Sequence, residues 1–507
     1  MAWQAETSKG NEAGKIKYEI VRYTRGRVLD LGSGPFKPYE HFISVDNLSE
    51  WGANWRPDII GDATDLSVFA NESFDAVFSS HLLEHIEDYG HALEEWWRVI
   101  KPKGYLVLYL PHKDYYPNIG QCGANPDHKH DFLPRDIISE MKAVGYWDLV
   151  VNETRSDNDE YSFFQVYKKE NNGSYRFSCH EERPRKSCGI VRYGGVGDMI
   201  QASSIFPGLK KLGYHITLYT TVRGQNIVKY DPYIDDFFIQ DNNQVPNHEL
   251  HEFWNTEKKK HNRFINLSES VEGTFLALPG RTQHNWPHYV RDKMLNYNYL
   301  EFAHLLANVP FIDNQRFYPS KEELCWAKSK KEEYGKCIMW ILSGSSVHKA
   351  WPYLDQTLAR IMITYPEFKV VLSGDEMCQI LENGWENEDR IIKTSGRWSI
   401  RESLTFAQVA DIVVGPETGI LNSVANLDIP KIITLSHSSI ENLTRDWVNC
   451  ISLTPDNCRC YPCHMMQYGF THCFRDEETG VAECQAKISA DKMTDAIKKH
   501  MRKLEVN

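Results

Sequence analysis

The sequence predicts an α/β protein with three Rossmann-like units, in which parallel strands alternate with helices. The same pattern, found at three places, supports this fold class: a short apolar strand runs into a turn rich in small residues. These stretches begin at residues 27, 188 and 336. A chain of 507 residues is long enough for three domains of ordinary size, and an apolar fraction of 41% is sufficient for their cores.

Charge and hydropathy argue against several classes of function. The net charge of −12 argues against a protein that wraps nucleic acid, since phosphate binding relies on clustered Lys and Arg. No run of about 18 apolar residues occurs, and the first residues lack the pattern of a signal peptide. We therefore expect a cytoplasmic protein without a membrane span.

The first predicted unit covers residues 1–170. Five strands are expected in its first part, a helix over residues 87–100, and an antiparallel hairpin at its end. In such sheets the ligand binds at the carboxyl ends of the strands. Asp46 ends the second strand, where an acid can accept hydrogen bonds from two ribose hydroxyls.

This order of elements resembles the class I S-adenosylmethionine-dependent methyltransferases over residues 25–168. The resemblance implies a methyltransferase domain with S-adenosylmethionine as cofactor. Matched by position, the cofactor-binding residues are Asp30, Gly32, Gly34, Asp46, Asp62 and Ser80. The first three would border the methionine part of the cofactor, Asp46 the ribose and Asp62 the adenine amino group. Asp62 also fits a helix N-cap, because Asp is a favoured cap.

Two histidines after the fourth strand, His81 and His85, are candidates for a general base near neutral pH. We take His85 as the catalytic candidate, with a surface or core histidine as the alternative. The chain has Ser79–Leu82 where DNA amino-methyltransferases carry an Asp/Asn-Pro-Pro-Tyr type of motif. This departure favours an oxygen or nitrogen of a sugar or small molecule as the methyl acceptor.

The loop between residues 112 and 132 allows two interpretations. One is a metal site, but the spacing of its candidate ligands matches no site that ligand geometry supports. Those candidates are His112, His128, His130 and Asp131. The favoured interpretation is a cover over the acceptor, formed with Tyr115, Tyr116 and Phe132.

A polar stretch at residues 171–187 predicts a linker. The second unit, residues 188–332, then opens with a strand and the glycine-rich turn Arg192–Asp198, where a helix N-terminus suits a phosphate or a sugar. The third unit covers residues 333–507. It contains a strand, a small-residue turn with Lys349, and a second turn at Gly415–Ala425 that opens another helix.

The two turns together resemble the heptosyltransferase-like glycosyltransferases of family 9, which have the GT-B fold of two facing Rossmann-like domains. Residues 188–332 would then form the acceptor domain and residues 333–507 the nucleotide-sugar domain. Glu417 stands where the family usually has Asp, and Asn422 where it usually has His. Since both positions lie near the donor sugar in the family, the donor need not be ADP-heptose.

The resemblance assigns roles to individual residues of both turns. The nucleotide-sugar would contact Gly195, Ser343, Lys349, Glu417, Thr418 and Gly419. Asp198 is the candidate general base for the acceptor hydroxyl, with a helix cap as the alternative. Lys349 and the helix N-terminus would stabilise the departing diphosphate without a metal.

A cysteine-rich loop near the end of the chain has the ligand spacing of a structural zinc site. The candidate ligands are Cys458, Cys460, Cys463 and Cys473. Free thiols are the alternative, because twelve cysteines are few for a disulfide scaffold in so long a chain.

The leading hypothesis is a bifunctional enzyme that transfers a sugar from a nucleotide-diphosphate donor to a glycan or small-molecule acceptor and methylates a related substrate. One alternative keeps the transferase but makes modified DNA the acceptor, against which the lack of a Lys/Arg-rich stripe argues. Another is a scaffold that has lost catalysis. The retention of Asp46, Asp198 and Lys349 argues against it.

Overall fold

The structure is a computed structural model that describes residues 11–506 except 48–54, 158, 172, 181–183, 185, 243 and 269–276. The chain divides into two compact units. The first comprises Met1–Arg185 and Ile239–Lys260, and the second comprises Lys186–Phe238 and His261–Asn507. Among the described residues, no helix is both long enough and apolar enough to cross a bilayer.

The first unit contains a seven-stranded sheet. Its strands are β1 Val28–Leu31, β2 Ile43–Asp46, β3 Ile59–Ile60, β4 Phe74–Ser80, β5 Ile100–Pro111, β6 Trp147–Arg155 and β7 Ser162–Lys169. The strand order is β3-β2-β1-β4-β5-β7-β6. Strands β1 to β5 pair in parallel, whereas β7 is antiparallel to both of its neighbours. The predicted parallel sheet with a closing hairpin is therefore confirmed.

Amphipathic helices cover this sheet. Helix Tyr89–Val99 begins where the Asp88 carboxylate accepts a hydrogen bond from the His91 amide at 3.0 Å. It buries Leu93 and Trp96 at helical spacing. The other helices of the unit are Glu12–Lys15, Pro134–Val144 and Leu250–Lys258, with short 3-10 turns at Ile20–Arg22, Leu83–His85 and Ser178–His180.

Part of the predicted linker extends the edge of the first sheet. Arg176 donates its amide to the Trp147 carbonyl at 3.0 Å, and its own carbonyl accepts from the Leu149 amide at 2.9 Å. These bonds satisfy backbone groups that an edge strand such as β6 leaves unpaired. The domain boundaries at residues 170, 187 and 332 stay predictions, because the two compact units do not separate the second predicted domain from the third.

The second unit contains two sheets. The four-stranded sheet has the order β10-β9-β8-β11 and the six-stranded sheet the order β14-β13-β12-β15-β16-β17. Their strands are β8 Ser187–Val191, β9 His215–Thr221, β10 Asp236–Gln240, β11 Arg263–Asn266, β12 Cys337–Ile341, β13 Lys369–Ser373, β14 Ile391–Lys393, β15 Ile412–Pro416, β16 Lys431–Thr434 and β17 Cys450–Leu453. All neighbours in the six-stranded sheet pair in parallel. The predicted α/β class with three Rossmann-like sheets is confirmed.

The helices of the second unit pack around these sheets, and one apolar cluster that includes Met199 and Met339 reaches both sheets. The α-helices are Val196–Ser203, Phe206–Lys211, Val222–Val228, His288–Leu295, Tyr299–Leu306, Lys321–Tyr334, Leu354–Thr364, Ile400–Phe406, Gly419–Ser423, Glu483–Ala486 and Ala490–Val506. Shorter helical turns occur at Thr282–Asn285, Val347–Lys349, Glu376–Glu382 and Ile440–Thr444.

Local side-chain contacts set the ends of several helices in this unit. Ser320 and Ser399 form capping boxes with Glu323 and Glu402, respectively. The helix Leu354–Thr364 begins two residues after Pro352. The Trp351 indole and the Tyr353 hydroxyl donate hydrogen bonds to carbonyl groups of residues 488 and 486, which hold this segment outside the helix.

Candidate functional sites

The first candidate site is a cavity of about 930 Å³ at the carboxyl ends of β1, β2 and β4 in the first unit. Every residue assigned above to the cofactor or to methyl transfer lines it. These residues are Asp30, Gly32, Gly34, Asp46, Asp62, Ser80 and His85. The parallel order of the strands brings residues distant in sequence to one edge of the sheet.

The glycine turn after β1 shapes one wall of this cavity. Gly32 has φ +69°, a left-handed conformation that favours glycine, and a Cβ there would lie 2.8 Å from the Leu82 side chain. The Gly34 amide donates to the Asp46 carboxylate at 3.1 Å. Asp46 is thereby held at the tip of β2, facing the turn.

The two other predicted carboxylates differ in their surroundings. Asp30 is buried, burial raises its pKa well above the usual range, and its Oδ2 has no hydrogen-bond partner among the described residues. Asp62 accepts hydrogen bonds from the Thr64 amide and hydroxyl, both at 2.8 Å. Asp62 therefore caps a turn rather than a helix.

The two candidate histidines have unequal environments. His81 lies between the hydroxyls of Ser80 at 3.3 Å and Ser162 at 3.1 Å, and burial lowers its pKa to about 3. His81 is therefore a weak base at neutral pH. His85 lies on the turn Leu83–His85, and its side chain is 27% exposed at the cavity wall.

Glu84 and His128 are cavity residues that the sequence did not single out as partners. Burial raises the pKa of Glu84 to about 8 and lowers the pKa of His128 to about 4. The Glu84 Oε1 atom lies 3.9 Å from His128 Nε2 and 4.0 Å from His85 Nε2. The position of Glu84 next to His85 was the sequence signal that could have indicated its place at the cavity. His128 lies 43 positions after His85, on a separate loop.

The loop at residues 112–132, predicted to cover the acceptor, lies at the cavity only in part. Tyr116 and His128 line the cavity. Tyr115 is half exposed and Phe132 packs into the core, so neither lines it. The other proposed metal ligands make local contacts: His112 accepts from the Asp114 amide, His130 contacts the Glu87 carbonyl and Asp131 accepts from the Ile119 amide. The four-residue metal set of this loop is not assembled.

The second candidate site is a cavity of about 490 Å³ within the second unit. All residues assigned above to the nucleotide-sugar or to its transfer line this cavity. They are Gly195, Asp198, Ser343, Lys349, Glu417, Thr418 and Gly419. Arg223, Tyr299 and His437 also line it and were not predicted.

Two helix N-termini meet at this second cavity. Helix Val196–Ser203 follows the first glycine turn, and helix Gly419–Ser423 follows Thr418. A Cβ on Gly419 would lie 2.6 Å from the Gly197 amide nitrogen, and a Cβ on Gly197 would lie 2.6 Å from Asn422 Nδ2. Only glycine at these positions permits the observed approach, which directs two sets of free N–H groups toward one region.

Asp198 has both of its carboxylate oxygens engaged. Oδ2 accepts a hydrogen bond from the Gly195 amide at 2.7 Å, and Oδ1 forms an ion pair with Arg192 Nη2 at 2.8 Å. The N-cap position is Gly195, so Asp198 is not the N-cap residue, although its carboxylate caps the Gly195 amide from the third position of the helix. The side chain nevertheless remains 36% exposed at the cavity.

Lys349 is a buried cation at the cavity wall, with an exposure of 7%. Burial lowers the pKa of its ammonium group, whereas the charges of Glu417 and Asp198 act in the opposite direction. Gly344 accommodates this side chain, since a Cβ there would lie 2.6 Å from Lys349 Cδ. The site thus holds a positive charge in a region of low dielectric, where it acts strongly on an anion.

The Glu417 carboxylate is held in place by several hydrogen bonds. Its Oε1 accepts from the amides of Ser436 and Ser438, both at 3.0 Å, and its Oε2 accepts from the Ser436 hydroxyl at 2.8 Å. The His437 ring also contacts this carboxylate. Although burial opposes its ionisation, the interaction with His437 holds the pKa of Glu417 below the usual range.

The cysteine-rich loop does not assemble a three-ligand group in the described part of the chain. Cys458 Sγ and Cys460 Sγ lie 3.6 Å apart, and all twelve cysteines are free. A hydrogen bond from Cys460 lowers the pKa of Cys458 to about 6. The four-cysteine zinc site stays a prediction.

The sheet order of the first unit and the parallel sheets of the second define a chain built of Rossmann-like units. Residues 43–108 match the family described as "Methyltransferase domain". Over 108 residues, 34% are identical to a demethylmenaquinone methyltransferase from Mycobacterium sp. (strain KMS), an alignment that spans 21% of this chain and 46% of that protein. The first unit therefore carries a methyltransferase domain.

The remainder of the chain is similar to heptosyltransferases. It is 21% identical over 282 residues to lipopolysaccharide heptosyltransferase 1 from Campylobacter coli, across 48% of this chain and 82% of that protein. A family 9 glycosyl transferase structure from Veillonella parvula covers 64% of this chain and 99% of its own, with 14% identity and a TM-score of 0.46. The chain thus combines a methyltransferase domain with a heptosyltransferase-like region, which confirms the predicted transferase class.

Proposed function

We propose that the chain is a bifunctional enzyme with one reaction in each cavity. The first cavity transfers a methyl group from S-adenosylmethionine to a sugar or small molecule. The second transfers a sugar from a nucleotide-diphosphate donor to a glycan acceptor. The observation that carries the proposal is that each cavity gathers one complete set of predicted residues from separate stretches of the chain.

In the first cavity, the Gly32–Gly34 turn and Asp30 accommodate the methionine part of the cofactor, and Asp46 accepts hydrogen bonds from the ribose. Asp62 contacts the adenine amino group through the carboxylate oxygen that Thr64 does not use. The acceptor enters beside Tyr116 and His85, which line the same cavity. His85 assists deprotonation of the acceptor at this wall.

In the second cavity, the diphosphate binds between Lys349 and the N–H groups that follow Thr418. Charge builds on the departing diphosphate as the glycosidic bond to the donor breaks, so a fixed cation and preorganised N–H donors stabilise the transition state more than the ground state. Asp198 takes the proton of the acceptor hydroxyl as that oxygen attacks the anomeric carbon. The ion pair with Arg192 orients the carboxylate for this step.

Glu417 and His437 help to form the site of the donor sugar. The groups that donate hydrogen bonds to Glu417 hold it as a fixed negative charge, which attracts the Lys349 ammonium. The lysine is therefore positioned before the nucleotide-sugar binds. This network uses glutamate where the related family usually has aspartate. We therefore propose a hexose or heptose donor without restricting it to ADP-heptose.

The test incubates the full-length protein with a panel of nucleotide-diphosphate sugars and glycan acceptors and follows nucleotide diphosphate release. We expect release with one donor class and its loss in Lys349→Ala. A second assay follows S-adenosylhomocysteine formation with the same acceptors. Absence of both products, with intact ligand binding, would favour a scaffold, whereas activity only with modified DNA would favour the DNA-directed alternative.

A further inference from the structure

The Glu84 carboxyl group lies in the wall of the first cavity with neither oxygen satisfied. Its side chain is 1% exposed, and both oxygens lack a hydrogen-bond partner within the described residues. Removing such a group from water is unfavourable unless a hydrogen bond or a cation compensates it. The surroundings of Glu84 therefore indicate a missing ligand.

Two imidazole rings face the same carboxyl group. Glu84 Oε1 lies 3.9 Å from His128 Nε2 and 4.0 Å from His85 Nε2, and ligand atoms of the three side chains lie within 4.8 Å of one another. Ligands of one ion at bond lengths of about 2.0–2.2 Å lie roughly 3–3.5 Å apart. Small side-chain rotations would close the remaining distance.

The backbone holds these three residues together. The Glu84 carbonyl accepts hydrogen bonds from the Lys129 amide at 2.7 Å and the His130 amide at 3.2 Å. These bonds attach the loop that carries His128 to the turn that carries Glu84 and His85. Tyr116 packs against the His128 ring, with centroids 5.2 Å apart, and restricts its rotation.

A second cluster of the same residue types behaves differently. His348, Glu417 and His437 also lie within 4.8 Å of one another at the second cavity. There, two amides, one hydroxyl and one imidazole already satisfy the carboxylate. The Glu417 carboxylate is thus satisfied by hydrogen bonds, so the unsatisfied carboxyl group distinguishes the Glu84 cluster.

We propose that Glu84, His85 and His128 bind one divalent first-row transition-metal ion. Two imidazoles and one carboxylate are a ligand set of zinc and iron(II) sites that keep open coordination positions, whereas Mg²⁺ prefers oxygen ligands. No metal was predicted from this set of residues. His85 is then a ligand, and it assists deprotonation of the acceptor through the ion.

The role of the ion rests on the proposed methyl transfer. All three ligands line the cavity, so an open position of the ion is available to an acceptor hydroxyl. Coordination lowers the pKa of that hydroxyl, which releases its proton to solvent. An oxygen electron pair then forms the bond to the methyl carbon, the carbon–sulfur bond breaks, and its electrons remain on sulfur. The proposal thus takes an oxygen nucleophile as the methyl acceptor.

The test uses full-length protein treated with a chelator and titrated with Co²⁺, followed by visible absorption. We expect one equivalent to bind without thiolate absorption bands, and Glu84→Gln and His128→Asn to weaken that binding by about 100-fold or more. Glu84→Gln preserves side-chain shape, so it serves as the variant less prone to misfolding. His130→Asn is the matched control, because His130 lies on the same loop outside the cluster and should bind normally.

Unchanged Co²⁺ affinity in both variants would overturn the proposal, as would absence of binding to folded protein. Co²⁺ binding that is confined to the cysteine-rich loop would also overturn it, as shown by a thiolate-to-cobalt charge-transfer band and by loss of all binding in Cys458→Ser. S-adenosylmethionine binding is measured by calorimetry on the same metal-free protein. Cofactor binding without Co²⁺ binding rejects only the metal site, and the reverse result rejects only the cofactor assignment.

Discussion

Gly419 lies directly against the backbone of Gly197, so that a Cβ on Gly419 would come within 2.6 Å of the Gly197 amide nitrogen. The two glycines belong to turns more than 200 positions apart in the sequence. Their approach brings two helix N-termini to one cavity, and backbone atoms cannot yield as a flexible side chain can. The contact therefore couples the local structure of both turns to the proposed donor site.

Gly419→Ala is the first prediction. The added methyl group must push the two turns apart, at a cost of about 1–3 kcal/mol in the free energy of unfolding. We expect a lower melting temperature and weaker nucleotide-diphosphate binding by calorimetry. Gly469→Ala is the control, since a Cβ there meets nothing within 4 Å. Equal donor affinity in Gly419→Ala and wild type would contradict the proposed role of this contact.

Asp198→Asn separates catalysis from helix capping. Asparagine can still accept the Gly195 hydrogen bond but cannot take a proton, so turnover should fall by about 10²–10⁴-fold at unchanged donor affinity. Steady-state kinetics and donor calorimetry measure the two quantities. Full activity combined with a lower melting temperature would show that Asp198 only caps the helix.

Lys349→Ala should behave differently from Asp198→Asn. Because Lys349 is proposed to contact the diphosphate in both ground and transition states, donor affinity and turnover should both fall. Lys336→Ala, at the strand preceding the turn and outside the cavity, is the control. Normal donor affinity in Lys349→Ala would contradict the proposed contact between Lys349 and the diphosphate.

Asp46→Ala tests the cofactor site in the first cavity. Loss of hydrogen bonds to the ribose should weaken S-adenosylmethionine binding by about 1–3 kcal/mol, as measured by calorimetry on the full-length protein. Asp65→Ala is the control, because Asp65 contacts Ser67 and does not line the cavity. An Asp46→Ala variant that binds as tightly as the control would reject the assignment.

Asp231→Asn tests a predicted pH dependence of stability. Burial raises the pKa of Asp231 to about 7, above its ordinary value of 3.8. The folded protein therefore keeps a proton that the unfolded chain releases, so this contribution is present below about pH 4 and is lost as the pH rises through 7. Asparagine stays neutral. The free energy of unfolding of the variant relative to wild type should therefore be higher at pH 8 than at pH 4, by up to about 4 kcal/mol.

Urea denaturation at both pH values measures this difference. Asp389→Asn is the control, because that carboxylate is exposed. Parallel stability changes in wild type and Asp231→Asn across this range would show that the carboxyl group titrates normally in the folded protein.

Much of the fold and many of the residues that line the two cavities follow from the sequence alone. Apolar strands such as residues 74–80 carry their pattern locally, and a glycine turn such as Gly32–Gly34 marks the end of a strand wherever it lies in space. Because ligands of parallel sheets bind at strand ends, the local position of Asp46 was enough to predict that it lies at the first cavity, whereas Lys349 was assigned through the resemblance to a known family.

Which side chains come into contact depends on the tertiary structure. His128 reaches Glu84 through a loop, and His437 reaches Glu417 from the segment after the next strand. Packing also sets the protonation of His81, because burial lowers the pKa of its imidazole to about 3. Burial and long-range contact depend on the packing of the whole unit, and no local pattern records them.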